Sequence, residues 1–413
     1  MADIRPFRAW RPVPELAPRI ASPPYDVLDS SEARAMSKGD NLSFLHVIKP
    51  EIDLDPGIDP YDERVYAKGA ENLQRLQKQG ALIRDSHDCY YLYRQQMGDH
   101  VQTGLVAGAS VDEYDTGHIK RHELTRPQKE LDRTRHVQAL RANTGPVFLT
   151  YRAVAEINEL VARLTETLSP VYDFAADDGV RHTVWVVGER EEVDALTEAF
   201  GRIACLYVAD GHHRAASASR VRKTRMEANP THTGDESYNH FMTVIFPHDQ
   251  MLIMDYNRVV KDLAGLTMDD FLVRVENCFS IRLGEAVKPQ RARRFGMYLG
   301  RAWRWLEPLP DSFDGEDPVA SLDVSILQDH LLGPVLGIGD PRTDERIDFV
   351  GGIRGLKELE RRCEEGWAVA FSLYPTTVEQ LMAVADAGRM MPPKSTWFEP
   401  KLRSGLIIRP LDD

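Results

Sequence analysis

The segment that most restricts the fold of this chain runs from Ile203 to Ala218. Ile203 to Ala209 is a short apolar run that reads as a buried strand ending at Asp210. Gly211 supplies the tight turn, and Ala215, Ala216 and Ala218 open a helix. A strand that breaks at glycine and restarts as a helix aims the helix's unpaired N–H groups and positive dipole end at the turn. Arg214 and the imidazoles of His212 and His213 stand at the same corner. Such a corner suits a phosphate group. An Asp-Gly pair is also an ordinary turn, so spacing alone leaves both readings open.

A chain of 413 residues exceeds one ordinary core and implies two or three domains. Its 42% hydrophobic and 28% charged residues are those of a soluble globular protein. No apolar run approaches the roughly 18 residues of a membrane span, and the first thirty positions carry Arg and Pro where a signal peptide needs an apolar stretch. A cytoplasmic protein with no membrane partner is expected. Cys89, Cys205, Cys278 and Cys363 are scattered and form no Cys-x-x-Cys pair, so neither a disulfide framework nor a thiolate metal site is indicated. The net charge of -13 disfavours a nucleic-acid groove, which works by replacing counterions with Lys and Arg. It leaves room for a local cationic pocket and a small anionic ligand.

Alternating strand and helix patterns predict an α/β fold, a mixed sheet with flanking helices, and place the corner at a strand's C-terminal end. Residues 1–111 read as an N-terminal α/β portion, 112–226 as a catalytic portion and 237–413 as a C-terminal α/β portion. In the first, a helix is expected from Glu32 to Ser37, a strand from Ser43 to Ile48, a helix from Tyr61 to Gly80, and a hairpin of Cys89 to Gln95 with Val101 to Val111 around Gly98-Asp99. In the last, Trp303 and Trp305 alternate as half-buried strand positions, Leu322 to Ile338 reads as helix, and Thr377 to Ala387 as a helix capped by Gly388.

Candidate chemistry gathers in three further places. Between Gly117 and His136 the chain carries Lys120, Arg121, His122, Glu123, Arg126, Lys129, Arg133 and His136. Pro127 suits the first turn of a helix on which Lys129, Arg133 and His136 share one face as a cationic stripe, although such stripes also serve as solvated faces with i,i+4 ion pairs. Glu123, a carboxylate amid Arg and His, is poised to stay ionised and accept a hydroxyl proton; a salt bridge to Arg121 or Arg126 fits it equally. In Pro23-Pro24-Tyr25-Asp26 the prolines hold the dipeptide extended, with Asp26 placed to bond backbone or ligand, or simply to make a turn. In Met391-Pro392-Pro393-Lys394-Ser395-Thr396 one ammonium and two hydroxyls can hold phosphate oxygens; the glycines of a Walker loop are absent, and a surface turn pinned by Trp397 and Phe398 is the other reading.

Asp210-Gly211-His212-His213-Arg214 resembles the Asp-Gly-x-His-Arg box of the ParB/sulfiredoxin superfamily, in which the corner binds nucleotide phosphates and which includes kinases acting on free serine. Ile4-Arg5-Pro6-Phe7, Pro23-Pro24-Tyr25-Asp26-Val27, His122-Glu123-x-Thr125-Arg126, the Asp210 box and Met391 to Thr396, in this order, resemble the domain-of-unknown-function family 1015 over essentially the whole chain. The resemblance implies a ParB/sulfiredoxin-like unit at 112–226 and transfer of a phosphoryl group from ATP or ADP, with Mg2+, to a free amino acid hydroxyl, L-serine foremost. It implies Glu123 or Asp210 as the catalytic carboxylate, with Glu130 in reserve, since those kinases use an acidic residue upstream of the box. Gly211, His212, His213, Arg214, Lys120, Arg126, Lys394, Ser395 and Thr396 are the expected phosphate ligands, and His122 and Arg133 the expected substrate ligands. No residue set has metal-ligand spacing. A phosphoserine phosphatase and a non-enzymatic nucleotide-binding regulator of ParB type are the competing functions. The partners expected are the nucleotide and the amino acid, with homo-oligomerisation left open.

Overall fold

The computed structural model describes residues 2–412, which fall into two compact units. One comprises residues 2–121, 125–251 and 400–412; the other comprises residues 122–124 and 252–399.

The first unit is built on a nine-stranded mixed sheet. Its strands are β1 (Ile4–Arg5), β2 (Tyr90–Met97), β3 (His100–Ser110), β4 (Ile119–Lys120), β5 (Val147–Tyr151), β6 (Tyr172–Ala175), β7 (Arg181–Val187), β8 (Leu206–Asp210) and β9 (His240–Pro247). They lie in the order β4-β8-β5-β9-β3-β2-β7-β6, with β1 also paired to β3. The expected hairpin is present: β2 and β3 pair antiparallel from Tyr91 opposite Val106 to Met97 opposite His100. β8 runs antiparallel to β5 and parallel to β4, with Tyr207 opposite Lys120. Around the sheet the chain forms α1 (Ser30–Met36), α2 (Leu45–Ile48), α3 (Glu63–Lys78), α4 (Pro127–Leu140), α5 (Ala155–Thr167), α6 (Arg190–Gly201) and α7 (His212–Ala228). Leu92, Leu105, Leu149, Trp185, Val208, Phe241 and Ile245 belong to one buried cluster, each large side chain contributing about 1.5–3 kcal/mol.

The expected strand from Ser43 to Ile48 is instead helical at α2: the Ile48 N–H donates to the Phe44 carbonyl and the Lys49 N–H to the Leu45 carbonyl. A short apolar run fits a buried strand or a buried helical turn equally. Packing decided here, because Phe44, Leu45, Val47 and Ile48 are all buried in a cluster with Leu73 and Leu76 of α3.

The second unit carries a six-stranded, fully antiparallel sheet of β10 (Tyr256–Val260), β11 (Phe279–Leu283), β12 (Phe295–Leu299), β13 (Ala302–Pro308), β14 (Ile347–Gly351) and β15 (Val369–Ser372), in the order β11-β13-β12-β15-β10-β14. Trp303 and Trp305 lie on β13 as the alternation predicts, Trp303 buried and Trp305 partly so. The helix expected from Leu322 to Ile338 is shorter. It is α-helical over Asp323–Leu327, then widens to a π-turn over Gln328–Leu332. Gly333-Pro334 ends it, the Gly333 N–H closing on the Gln328 carbonyl at 2.8 Å. Val378–Asp386 is helical, with Thr377 and Gln380 forming a capping box and Gly388 in the left-handed region at φ 64°.

Candidate functional site

The corner forms as the sequence predicts. β8 ends at Asp210, Gly211 caps α7 at φ 93°, and seventeen residues of helix follow. Only glycine takes that φ without strain, and here it is needed twice. A Cβ on Gly211 would meet Arg214 Nε at 3.1 Å and Cζ at 3.2 Å, because the guanidinium folds back over the turn. Asp210 Oδ1 accepts the Gly211 N–H at 2.7 Å, and Oδ2 lies 3.3 Å from the Lys401 ammonium. Burial alone would raise the Asp210 carboxyl; Lys401, then Arg214 and His212, hold it well below the usual carboxylate range. A carboxylate so stabilised is a weak proton acceptor.

Arg214 is largely buried, its side chain 12% exposed. One guanidinium nitrogen donates to the Pro146 carbonyl and another lies 3.6 Å from Asp26 Oδ2, while Nε has no acceptor. Asp26 sits in the expected turn, with the Val27 N–H donating to the Pro24 carbonyl, and its carboxylate faces the Arg214 side chain, a partner the sequence reading did not name. The Arg133 guanidinium stacks on Tyr25 of the same dipeptide at 4.0 Å and bonds Asp132 at 2.8 Å. Tyr25, Arg133, His136, Asn143, Arg214 and Ser404 are among the residues that line a cavity of about 500 Å3 counted to its open mouth. Two sequence motifs and one arm of α4 thus share a wall.

His136 departs from the expected cationic stripe. It is buried, its Nε2–H donates to the Val47 carbonyl at 2.9 Å, and burial with the nearby Arg133 pushes it down to about 3, so it is neutral. Lys129 remains exposed, which leaves Arg133 as the buried cation of that face.

Lys120 lies on β4 beside the corner strand, its ammonium 5.7 Å from the Tyr207 ring. The Arg126 N–H donates to His213 Nε2 at 3.0 Å, which fixes that nitrogen as the acceptor and brings the Thr125-Arg126 segment to the box. Glu130 is engaged by Arg220 at 2.9 Å and the Thr125 hydroxyl at 2.8 Å. His212 is buried in the first turn of α7.

The remaining expected residues lie in the second unit. His122 and Glu123 belong there by their packing, the His122 carbonyl accepting the Met391 N–H at 2.8 Å. Lys394 is exposed at φ 60°, its ammonium 5.7 Å from the Tyr256 ring. Ser395 is buried and its hydroxyl donates to the Pro392 carbonyl at 2.6 Å, so the hydroxyl serves the turn itself. Thr396 follows, half-buried, just ahead of the Trp397–Glu399 strand. Arg258 braces this turn from inside: buried on β10, it donates to the Lys394 carbonyl at 3.0 Å and to the Tyr256 carbonyl, and burial lowers it to about 10.

Sequence reasoning missed Lys401. Nothing local marks it, since its partner Asp210 is 191 positions away. Among the described residues no group of three or more His, Cys, Asp or Glu side chains stands together as a metal cage, and no helix is long and apolar enough to cross a membrane.

Fold and corner define an α/β protein with a mixed sheet and a strand-glycine-helix turn flanked by Arg214 and Lys401. The chain belongs to the family described as protein of unknown function (DUF1015), whose model matches residues 4–325. That span includes the first four motifs of the resemblance and stops short of Met391 to Thr396, so the family likeness covers less of the chain than expected. Among solved structures the chain is similar to a free serine kinase in complex with AMP and to a free serine kinase variant in complex with ADP, each 13% identical, covering 73% of this chain and 92% of the other at a TM-score of 0.35. It is also similar to C-terminally truncated SbnI from Staphylococcus aureus, 12% identical over 74% of this chain and 87% of that one at a TM-score of 0.38. No curated protein matches the chain.

Proposed function

We propose that this protein is a nucleotide-dependent kinase of a small molecule, moving a phosphoryl group from ATP or ADP to the hydroxyl of a free amino acid, L-serine foremost. The observation that carries the reading is the Asp210-Gly211 bend. A glycine in the left-handed region starts a long helix, Arg214 lies folded over the turn with Nε unpaired, and Lys401 stands beside it in a chain of net charge -13. Phosphoryl transfer demands chiefly positioning and positive charge, and the corner supplies both.

In this reading Gly211, His212, His213 and Arg214 hold the nucleotide phosphates, with Lys120 and Arg126 as flanking cations. Arg133 and His122 are the acceptor ligands; Ser395, whose hydroxyl is given to the Pro392 carbonyl, is not a phosphate ligand. Of the two candidate carboxylates, Glu123 takes the hydroxyl proton, because Asp210 is held too acidic to be a good base. Magnesium would enter with the nucleotide, since it is hard, reluctant to dehydrate and bound largely through phosphate oxygens and water. A cytoplasmic setting, where nucleotide and free serine meet, goes with the reading.

The test is incubation of the pure protein with magnesium, L-serine and either ATP or ADP, followed by phosphorus NMR. Phosphoserine is expected with the matching loss of donor. Glu123→Gln is expected to lower kcat by on the order of 10²-fold or more while leaving nucleotide affinity unchanged. Absence of both phosphoserine and nucleotide turnover would sink the proposal, and release of inorganic phosphate from phosphoserine without nucleotide would replace it with a phosphatase.

A further inference from the structure

One cavity of the first unit gathers more hydrogen-bonding groups than its own fold consumes. Tyr25, Arg133, His136, Asn143, Thr144 and Ser404 are among the residues that line it, and all belong to that unit. Its volume, counted to the open mouth, is that of a small-molecule site.

Arg133 is held there on two sides. Asp132, its neighbour on α4, is buried; Oδ1 accepts the Tyr66 hydroxyl at 3.0 Å, and Oδ2 accepts Arg133 Nε at 2.9 Å and Nη2 at 2.8 Å. The Arg133 guanidinium also lies on Tyr25, 4.0 Å from the ring centre. A guanidinium fixed by one edge and one face still offers its end-on edge, the parallel N–H groups of Nη1 and Nη2. Among the described residues that edge has no acceptor. The side chain is 12% exposed and lines the cavity, which leaves the edge to a ligand.

One turn further along α4, His136 lines the same cavity. Its Nε2–H goes to the Val47 carbonyl, so Nδ1 of the neutral ring is a hydrogen-bond acceptor. Asn143 Oδ1 accepts the Met242 N–H at 3.2 Å, which leaves its amide nitrogen as a donor. A forked cation, a neutral acceptor and an amide donor are the complement of a molecule carrying both a carboxylate and an ammonium. A phosphate dianion fits Arg133 less well, because Asp132 already balances the guanidinium charge and one fork suits a planar monoanion.

Resting on the kinase reading, we propose that this cavity recognises the acceptor as a small α-amino acid, its α-carboxylate on the end-on edge of Arg133 and its α-ammonium donating to His136 Nδ1. Arg214 lines the same cavity, which brings the bound amino acid to the guanidinium that receives the donor's phosphates in that reading.

Calorimetry on the full chain, with and without ADP, tests this using L-serine, L-serinamide, which lacks the carboxylate, hydracrylate, which lacks the ammonium, and inorganic phosphate. The wild-type protein is expected to bind L-serinamide and hydracrylate about tenfold or more weakly than L-serine, the scale of one charge-assisted hydrogen bond. Arg133→Lys keeps a cation beside Asp132 but has no fork. It is expected to melt as wild type and to lose the preference for L-serine over L-serinamide. Should it unfold, the comparison of ligands on the wild-type protein decides alone. L-Serinamide or hydracrylate bound as tightly as L-serine would overturn the proposal, as would a folded Arg133→Lys that keeps the preference, inorganic phosphate displacing L-serine, or no binding of L-serine at millimolar concentration under either condition. L-Serine held through its carboxylate in a protein that makes no phosphoserine would uphold the cavity and reject the kinase reading. Phosphoserine made equally well by wild type and Arg133→Lys at limiting L-serine would do the reverse.

Discussion

At Gly211 backbone geometry and chemistry meet in one atom. A side chain there must adopt φ 93° and push against the Arg214 guanidinium. Gly211→Ala is therefore expected to lower stability by about 1–2 kcal/mol from the left-handed backbone alone, and to weaken nucleotide binding by displacing Arg214. Thermal melts and calorimetry on the same preparation check both. Retention of wild-type affinity with a lowered melting point would leave Gly211 a structural turn only. The corner was legible from sequence because a strand ending, a glycine and an alanine-rich helix start are local signals. The partners of that corner were not. Asp26 is 188 positions from Arg214 and Lys401 is 191 from Asp210, and no periodicity links residues that far apart. His136 was misjudged for a related reason: helical spacing gives a shared face, but not whether water reaches it.

At the scale of elements, the Pro392-Pro393-Lys394 turn and strand β10 form one assembly through Arg258. A buried guanidinium donating to two carbonyls makes charge-assisted bonds, and truncation strands both acceptors. Arg258→Met is expected to cost about 2–4 kcal/mol and to raise hydrogen exchange around residues 392–396 ahead of the rest of the second unit. Uniform exchange throughout that unit would show that Arg258 supports the sheet and not the turn. Elements with a strong period, such as α3 and the β2–β3 hairpin, were readable in the sequence within a residue or two. α2 was not, because four apolar residues suit either backbone until their neighbours are known. Nor was the π-turn at Gln328–Leu332, where Gly333-Pro334 cuts short a pattern that continues to Ile338.

For the molecule as a whole, pH should act through a group in the second unit. Asp323 is buried with one carboxylate oxygen unpaired, and burial pushes its carboxyl up to about 7, against partial relief from the Arg293 N–H. A carboxyl whose folded value lies above its unfolded one binds more protons in the folded state between those values. Stability therefore falls as pH rises from about 4 to about 7 and levels off beyond. The span is worth about 4 kcal/mol, and Asp323→Asn, which keeps the acceptor for Arg293, is expected to remove it. Denaturant melts at pH 5 and pH 8 measure the difference; equal slopes for wild type and variant would show that Asp323 is already ionised in the fold.

The central claim is that the bend from Asp210 to Arg214 cradles a phosphoryl group, and a crystal structure of the protein with ADP, magnesium and L-serine tests it most directly. The account predicts phosphate oxygens within about 3 Å of the backbone N–H groups at the start of α7, with Arg214 Nε and Lys401 turned to meet them. Nucleotide bound elsewhere, with Lys401 still closed on Asp210 and Arg214 Nε still without an acceptor, would contradict it.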